Sequence, residues 1–348
     1  MKTRRKKKET KKRIVFGLFI IMILGIASFL LLQKSNIDFN INPFETEITP
    51  EPVEEEKLEI IDPDSNSRNI AVMINNIKSV WGYQSGIQDA YIVYEILAEG
   101  GITRLMAIYK DQDTSRIGSV RSSRIYYLDY ALENDAIYVH VGGSKEALSD
   151  IRTLKIPSLN GTTIYRDKSL GLSTEHTAFT SIDRINEEVE SRNIRNTTTM
   201  DPLFNYSIDE IDLSEREDAI LANDVYISFS GSKSTSFKYD PEKKVYLRYQ
   251  NDTSHIDHET KEQYSVKNII TYQVRNHSYD SYGRQELDNI GSGEGYFITD
   301  GYAVPITWEK TSRESQTVYR YLDGEEIILN DGNTHIEIQP INRKLTLN

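Results

Sequence analysis

Residues 136–148 read AIYVHVGGSKEAL, and the order of chemistry within them decides the fold class. An apolar, β-branched run gives way to Gly142 and Gly143. Ser144 then opens a stretch with apolar residues at helical spacing. A strand, a glycine turn and a Ser-capped helix form the unit from which α/β layers are built. The same alternation extends outward in both directions. NIAVMIN (69–75) and ITRLMAIYK (102–110) read as strands, whereas SSRIYYLDYALEND (122–135), SKEALSDIRTL (144–154) and SIDRINEEVESRNI (181–194) each open on Ser and read as helices. DAYIVYEILAEGG (89–101) fits either a helix or a strand.

Beyond residue 202 the texture changes. KYDPEKKVYLRY (238–249), YFITDGYAVPITW (296–308) and YRYLDGEEIILNDGNTHIEIQP (319–340) are Tyr- and Val-bearing runs split by Asp-Pro, Asp-Gly and Asp-Gly-Asn, which are hairpin signals. The expected fold is α+β, with an α/β domain at 67–201 and a mainly antiparallel β domain at 202–348.

The 348 residues carry 41 Lys+Arg against 53 Asp+Glu, a net charge of −12. Residues 1–13 hold nine of the bases and one acid, and 14–32 hold no charge, so the remainder stands at −20. Nineteen uncharged, mostly apolar residues suffice to span a bilayer, and the basic flank stays cytoplasmic. The expectation is a basic cytoplasmic tail (1–13), one transmembrane helix (14–32) and an extracytoplasmic remainder. A cleaved signal peptide is the alternative, but no small-x-small site follows the run. Residues 33–66, acidic and bearing four of the nine prolines, read as an extended linker. The chain has no cysteine, which excludes disulfides, thiolate chemistry and lipid attachment through an N-terminal cysteine. A body at −20 repels phosphate, so nucleic acid is not an expected partner.

Several of these stretches together resemble the YerB-like family of bacterial envelope lipoproteins, a domain of unknown function in N- and C-terminal parts. They are AVMINN (71–76), QSGIQDAYIVYEILAEGGITRLMAIY (84–109), IGSVRSSR (117–124), AIYVHVGGS (136–144) and EHTAFTS (175–181), with looser similarity through GSGEGYFITDGYAVPITWEK (291–310) and GNTHIEIQP (332–340). The resemblance implies a two-domain, membrane-tethered, extracytoplasmic protein with no settled reaction. This chain departs from the family in lacking the lipidated cysteine, in whose place a transmembrane helix is expected, and in carrying His335 where Trp is usual.

Three clusters are candidate sites. Arg121 and Arg124 flank the expected start of a helix, with Ser122 or Ser123 as its cap. Cations are disfavoured there by roughly 0.3–1 kcal/mol, a cost that an anion bound between them would reverse. Pairing with Asp111, Asp113 or Asp129 is the other reading. The turn His140–Gly142–Gly143–Ser144 either presents N–H groups to a ligand or serves packing alone. Glu95, Glu99 and Arg104 form the third cluster, as acid and base or as an ion pair, and His176 beside Glu175 is a further base or donor. GSGEG (291–295) precedes a strand and reads as a hairpin or bulge, and VHVGGSKEAL (139–148) lacks the P-loop spacing and ending, so no cofactor is expected. His255 and His258 lack a third ligand, so no metal is expected.

The leading expectation is an envelope binding protein that takes an anionic wall component or a partner protein through Arg104, Arg121 and Arg124. The alternative is a wall glycan or phosphodiester enzyme using Glu95 or Glu99 with His140 or His176. A bare spacer between membrane and wall is a third reading.

Overall fold

The structure is a computed structural model and describes residues 57–348. The expected tail (1–13), the expected span (14–32) and most of the linker lie outside the described residues. Among those described, no helix is long and apolar enough to cross a membrane. The linker expected to reach residue 66 ends sooner. The N–H groups of Glu59 and Ile60 donate to the Asp331 carboxylate (2.7 and 3.0 Å), and Ile61 is buried.

The first half contributes β1 (Ile70–Asn75), β2 (Ile92–Leu97), β3 (Thr103–Tyr109), α1 (Ile125–Glu133), β4 (Ile137–His140), α2 (Lys145–Thr153), β5 (Ser158–Asn160) and α3 (Ile182–Ser191). The second half contributes β6 (Asp224–Ser228), β7 (Ser234–Asp240), β8 (Val245–Gln250), β9 (Asn268–Val274), β10 (Gly291–Thr299), β11 (Tyr302–Lys310), β12 (Thr334–Pro340) and β13 (Leu345–Leu347). The chain is thus mixed α/β, mostly strands with few helices. The ambiguous segment at 89–101 is strand β2, all six of whose residues are buried.

Strands from both halves form one eleven-stranded sheet, running β11–β10–β9–β12–β2–β3–β1–β4–β5, with the short strands Ile220–Leu221 and Val318–Tyr321 both pairing with β11. The halves meet at β2 and β12, which pair in parallel with Glu95 beside Glu337. Residues on either side of the expected boundary at 201 therefore share a core. The second half is also less antiparallel than expected, since β9 and β12 run parallel. The Asp331-Gly332-Asn333 turn closes no hairpin: Ile328–Asn330 pairs with Asn205–Ser207, while β12 enters the central sheet.

One face of the sheet is covered by α1 and α2, whose Tyr126, Tyr127, Tyr130, Ala147 and Ile151 pack on Tyr94, Ile96, Met106, Ile336 and Ile338. On the other face, α3 sets Ile182, Ile185 and Val189 against Val72, Ile74, Leu105 and Ala107. Beside α3 on that face lies a second, six-stranded sheet containing β8, β7, β6 and β13, which shares a cluster of Val225, Ile227, Phe237 and Tyr246 with Ile269 and Ile298.

Helices α2 and α3 begin as their sequences indicate, with Ser144 and Ser181 accepting from the N–H groups of Ala147 (3.1 Å) and Arg184 (3.3 Å). Helix α1 does not. Its cap residue is Arg124, with no side-chain cap bond, because the Ser123 hydroxyl accepts from Tyr138 (2.9 Å) and its N–H donates to Gly142 (3.0 Å).

Gly295 in β10 tests the close packing of this sheet. A Cβ there meets the Thr271 carbonyl oxygen at 2.5 Å and the Tyr272 Cβ at 2.9 Å. Gly295→Ala is expected to destabilise the protein by about 1–3 kcal/mol, read as a shift of the urea midpoint with the slope unchanged.

Candidate functional site

Strands β1, β2 and β4 run in the same sense, and the sequence candidates gather at their carboxyl ends. Ligands commonly settle at this edge of an α/β sheet. The loop before α1 lies along the turn after β4: Val141 N–H donates to Arg121 O (3.1 Å), Ser123 N–H to Gly142 O and Ser144 N–H to Ser123 O (3.3 Å). Gly142 holds φ +69°, which a side chain would strain, and its N–H donates to Asn160 Oδ1 (2.8 Å). The N–H groups of Gly142 and Ser144 are therefore engaged within the chain, and Gly143 leaves room for Leu148 and Ser123.

Arg104 and Arg124 do converge on an anion, and it is the chain's own Glu99. Arg104 Nη2 donates to Glu99 Oε1 at 2.5 Å. Arg124 makes a two-pronged contact, with Nε donating to Oε2 at 2.9 Å and Nη2 to Oε1. Burial opposes ionisation of Glu99, but the Arg124 hydrogen bond and both arginine charges outweigh it and hold its pKa at about 2. Of the acids expected as partners, Asp129 instead bonds Arg313 (2.5 Å). Glu99 sits on a turn whose Gly100 and Gly101 hold φ +71° and +74°, so its position depends on backbone that only glycine adopts without strain.

Arg121 is apart from this clamp. It donates to the Glu175 carbonyl (3.2 Å), stands 3.6 Å from the Glu175 carboxylate and keeps a quarter of its side chain exposed. His176 accepts from Asn75 Nδ2 at 3.0 Å and faces Glu175 Oε1 at 3.4 Å. His140 is fully buried, with Nδ1–H donating to Gly142 O (2.7 Å) and Nε2 accepting from Ser158 (2.8 Å). Burial depresses its pKa, and both ring nitrogens are engaged within the chain. A 790 Å³ cavity lined by Arg68, Tyr109, Asn186 and Glu190 opens at the opposite end of β1 and includes none of these residues.

A hairpin that sequence reading missed completes this surface. Its strands are Asn276–Ser278 and Gln285–Leu287. Gly283 at its tip lies against the Gly100 backbone, and Tyr279 donates to Glu146 at the start of α2 (3.1 Å). Tyr282 is 68 % exposed, and the Arg284 guanidinium lies 5.1 Å from its ring centroid. The run YDSYGR (279–284) was the available signal: two tyrosines and an arginine around a turn.

Glu95 belongs to a different site, buried between the two sheets. Its carboxylate accepts from Asn76 (3.1 Å), Thr103 (2.5 Å), Thr235 (2.9 Å) and Arg248, with Lys233 at 3.3 Å. Burial opposes its charge, but Lys233, Arg248 and the two hydroxyls prevail and hold its pKa at about 2. Glu337, its cross-strand neighbour, is pushed far above the ordinary carboxyl range by burial and by the Glu95 charge. His255 accepts from Arg248 and donates to Gln84 Oε1 (2.6 Å), and burial keeps it neutral. The indole of Trp81, in the short helix Lys78–Tyr83, covers Lys233 with 5.1 Å from Nζ to the ring centroid. Glu95, Glu99, His140 and His176 thus fall into four separate sets of partners.

The chain matches two family descriptions, "Protein of unknown function (DUF3048) N-terminal domain" over residues 57–195 and "Protein of unknown function (DUF3048) C-terminal domain" over residues 225–336. The chain belongs to the DUF3048 family. It is homologous to the protein named "Putative lipoprotein YerB" of Bacillus subtilis (strain 168), with 28% identity over 284 residues, 78% of this chain and 81% of the relative. A crystal structure of YerB protein from Bacillus subtilis superposes with a TM-score of 0.69 at 26% identity, covering 80% of this chain and 94% of the other. In this DUF3048 chain the loops of the arginine–glutamate clamp fall in the N-terminal domain, and Lys233 and Arg248, which neutralise Glu95, fall in the C-terminal domain.

The Glu95 site makes a signed prediction. Glu95→Gln leaves Arg248 and Lys233 buried without their counter-charge and is expected to cost about 3–5 kcal/mol. Glu337→Gln, which replaces a neutral acid, is expected to cost less than about 1.5 kcal/mol. The depressed Glu95 pKa gives stability that is present above its ordinary value of 4.5 and lost as pH falls toward 2. The raised Glu337 pKa gives stability that is complete below 4.5 and lost as pH rises toward its folded value. Urea midpoints measured across pH should therefore fall on both sides, and Glu337→Gln should remove only the alkaline decline.

Proposed function

We propose that this is a membrane-tethered, extracytoplasmic binding protein of the cell envelope whose ligand is an anionic group of a cell-wall polymer. The observation that carries the reading is the clamp: two buried guanidinium groups, Arg104 from β3 and Arg124 at the start of α1, converge on one carboxylate, and that carboxylate rides on a Gly-Gly turn. Arginine forks suit carboxylate and phosphate alike. Glu99 occupies the place that a ligand anion would take, and the turn is the hinge on which it leaves. Half-buried Arg121 and exposed Tyr282, with Arg284 beside the tyrosine ring, supply charge and a flat face for the adjoining polymer.

Tethering rests on the basic tail and uncharged run at residues 1–32 and on the lipoprotein name of the homologue. An acidic stretch of an envelope protein offers the same chemistry from another source. The enzyme reading draws no support from Glu95, Glu99, His140 and His176, which share no partner.

The test is binding of the full-length protein in detergent micelles to purified anionic wall polymer, with neutral glycan and a poly-glutamate peptide as comparisons. Arg121→Ala should weaken polymer binding severalfold, and Glu99→Gln, which removes the competing internal anion, should strengthen it. Unchanged binding in both variants, or equal binding to neutral glycan, would overturn the proposal, and preference for the peptide would move the ligand to a protein.

A further inference from the structure

The turn that carries Glu99 belongs to the first half of the chain, and a residue of the second half holds it. Strands β6 and β7 are joined by a tight turn at 229–233 whose two ends are both anchored. Phe229 is fully buried, and the N–H groups of Phe229 and Ser230 donate to Lys233 O (2.9 and 3.2 Å). The Lys233 side chain is buried as well, with Nζ donating to Gln250 Oε1 (2.6 Å) and lying 3.3 Å from Glu95 Oε1. Ser230 stands between these two fixed ends.

The geometry dictates where the Ser230 hydroxyl points. A serine hydroxyl has one hydrogen and two lone pairs. The lone pairs accept from the N–H groups of Ser232 (3.1 Å) and Lys233 (3.0 Å). The hydrogen goes to Gly101 O at 2.6 Å, since Ser232 Oγ, the other acceptor in reach, is 3.3 Å away. The Ala98 N–H closes the Glu99 turn on itself by donating to Ile102 O (2.7 Å). Among the described residues, the Ser230 bond is the one hydrogen bond that ties the backbone of Glu99–Gly101 to a distant part of the chain. Glycine at position 101 serves this approach as well as the left-handed backbone, because a Cβ there would sit 3.3 Å from both serine hydroxyl oxygens.

The consequence lies in competition. An anion from outside reaches Arg104 and Arg124 only in molecules whose Glu99 has left them, and its apparent affinity falls by the fraction of molecules in that open form. A contact that holds the Glu99 turn in place therefore sets the affinity without touching the ligand.

We propose that Ser230 is a positioning residue for the clamp: a latch, supplied by the second half, that keeps the Glu99 turn closed and so sets how strongly an anion must compete for Arg104 and Arg124. The inference rests on the reading of Glu99 as the internal stand-in for a ligand anion. Ligand entry at the clamp is thereby governed by an element outside the N-terminal domain that builds it.

The test uses the full-length protein in detergent micelles. Arg124 Nε–H donates to Glu99 Oε2 at 2.9 Å, and its exchange with water, followed by NMR on arginine-labelled protein, reads clamp opening with no ligand present. Ser230→Ala should speed this exchange about three- to tenfold, the worth of one neutral hydrogen bond. Ser230→Thr, which keeps the hydroxyl, should stay near the wild-type rate. Binding of anionic wall polymer should tighten by a similar factor in Ser230→Ala. The double variant Glu99→Gln/Ser230→Ala should bind no more tightly than Glu99→Gln, because the latch acts only through Glu99. Ser230→Ala also frees the N–H groups of Ser232 and Lys233, a structural change that the double variant carries equally. Unchanged exchange in Ser230→Ala, or the same further gain of binding in the double variant, would overturn the latch. Faster exchange with no polymer binding by any variant would leave the latch standing and overturn the ligand proposed for the clamp.

Discussion

The fold depends on how Glu95 is neutralised. An ionised carboxylate between two sheets is costly unless charges and hydrogen bonds surround it. Here they come from widely separated parts of the chain: Asn76 and Thr103 beside β1 and β3, then Lys233, Thr235 and Arg248 in the second sheet. Neither half can bury its share alone. Without the second sheet, Glu95 would lose both cations, and without β2, Arg248 and Lys233 would be buried charges with no partner. Only the association of the halves satisfies either one, and β12, threaded between β2 and β9, provides the backbone counterpart of that dependence.

The clamp around Glu99 follows the same physical rule at a site nearer the surface. Arg124 at the start of α1 is unfavourable by dipole alone, and the Glu99 carboxylate, shared with Arg104 of β3, resolves the conflict. The two sites differ in what carries the anion. Glu95 belongs to a strand with every residue buried, held by backbone pairing on both sides, whereas Glu99 is on a turn of left-handed glycines at the sheet edge. The Gly101 carbonyl of that turn accepts from the Ser230 hydroxyl (2.6 Å). The proposed ligand site is accordingly the clamp at the sheet edge, and the buried Glu95 network carries stability.

Much of this was legible in the residues. The alternation of strands and helices up to residue 194, the caps at Ser144 and Ser181 and the turns at Asp240-Pro241 and Asp300-Gly301 are local signals, and local chemistry settled them. Arg121 and Arg124 stand out because cations at a helix start contradict a local rule, and Glu99 and Arg104 because acids four apart beside an arginine suggest acid–base work or an ion pair. The misreadings were non-local. HIEIQP (335–340) follows the Asp-Gly-Asn signal and reads as a hairpin arm, yet it pairs with β2 and β9, and both its faces are buried. Arg248 was passed over for the same reason: in VYLRYQ it occupies an inward position, but its partner lies 153 residues away. The Ser123 cap failed because Tyr138 and Gly142 compete for the same groups. The boundary near residue 201 marks a change in composition, and the β2–β12 pairing runs across it.

The central claim is that the two halves form one cooperative body through the Glu95 network, and the two tryptophans make it measurable. Trp81 lies over Lys233 in the first half, and Trp308 packs on Tyr272 in the second with a ring separation of 4.9 Å. Equilibrium urea unfolding of Trp81→Phe and Trp308→Phe, each followed by the fluorescence of the remaining tryptophan and by far-ultraviolet circular dichroism, reports each half separately. Each variant is predicted to show one transition with the same midpoint by both probes. A fluorescence midpoint in either variant well separated from its circular dichroism midpoint would show that the halves unfold independently, contradicting the account.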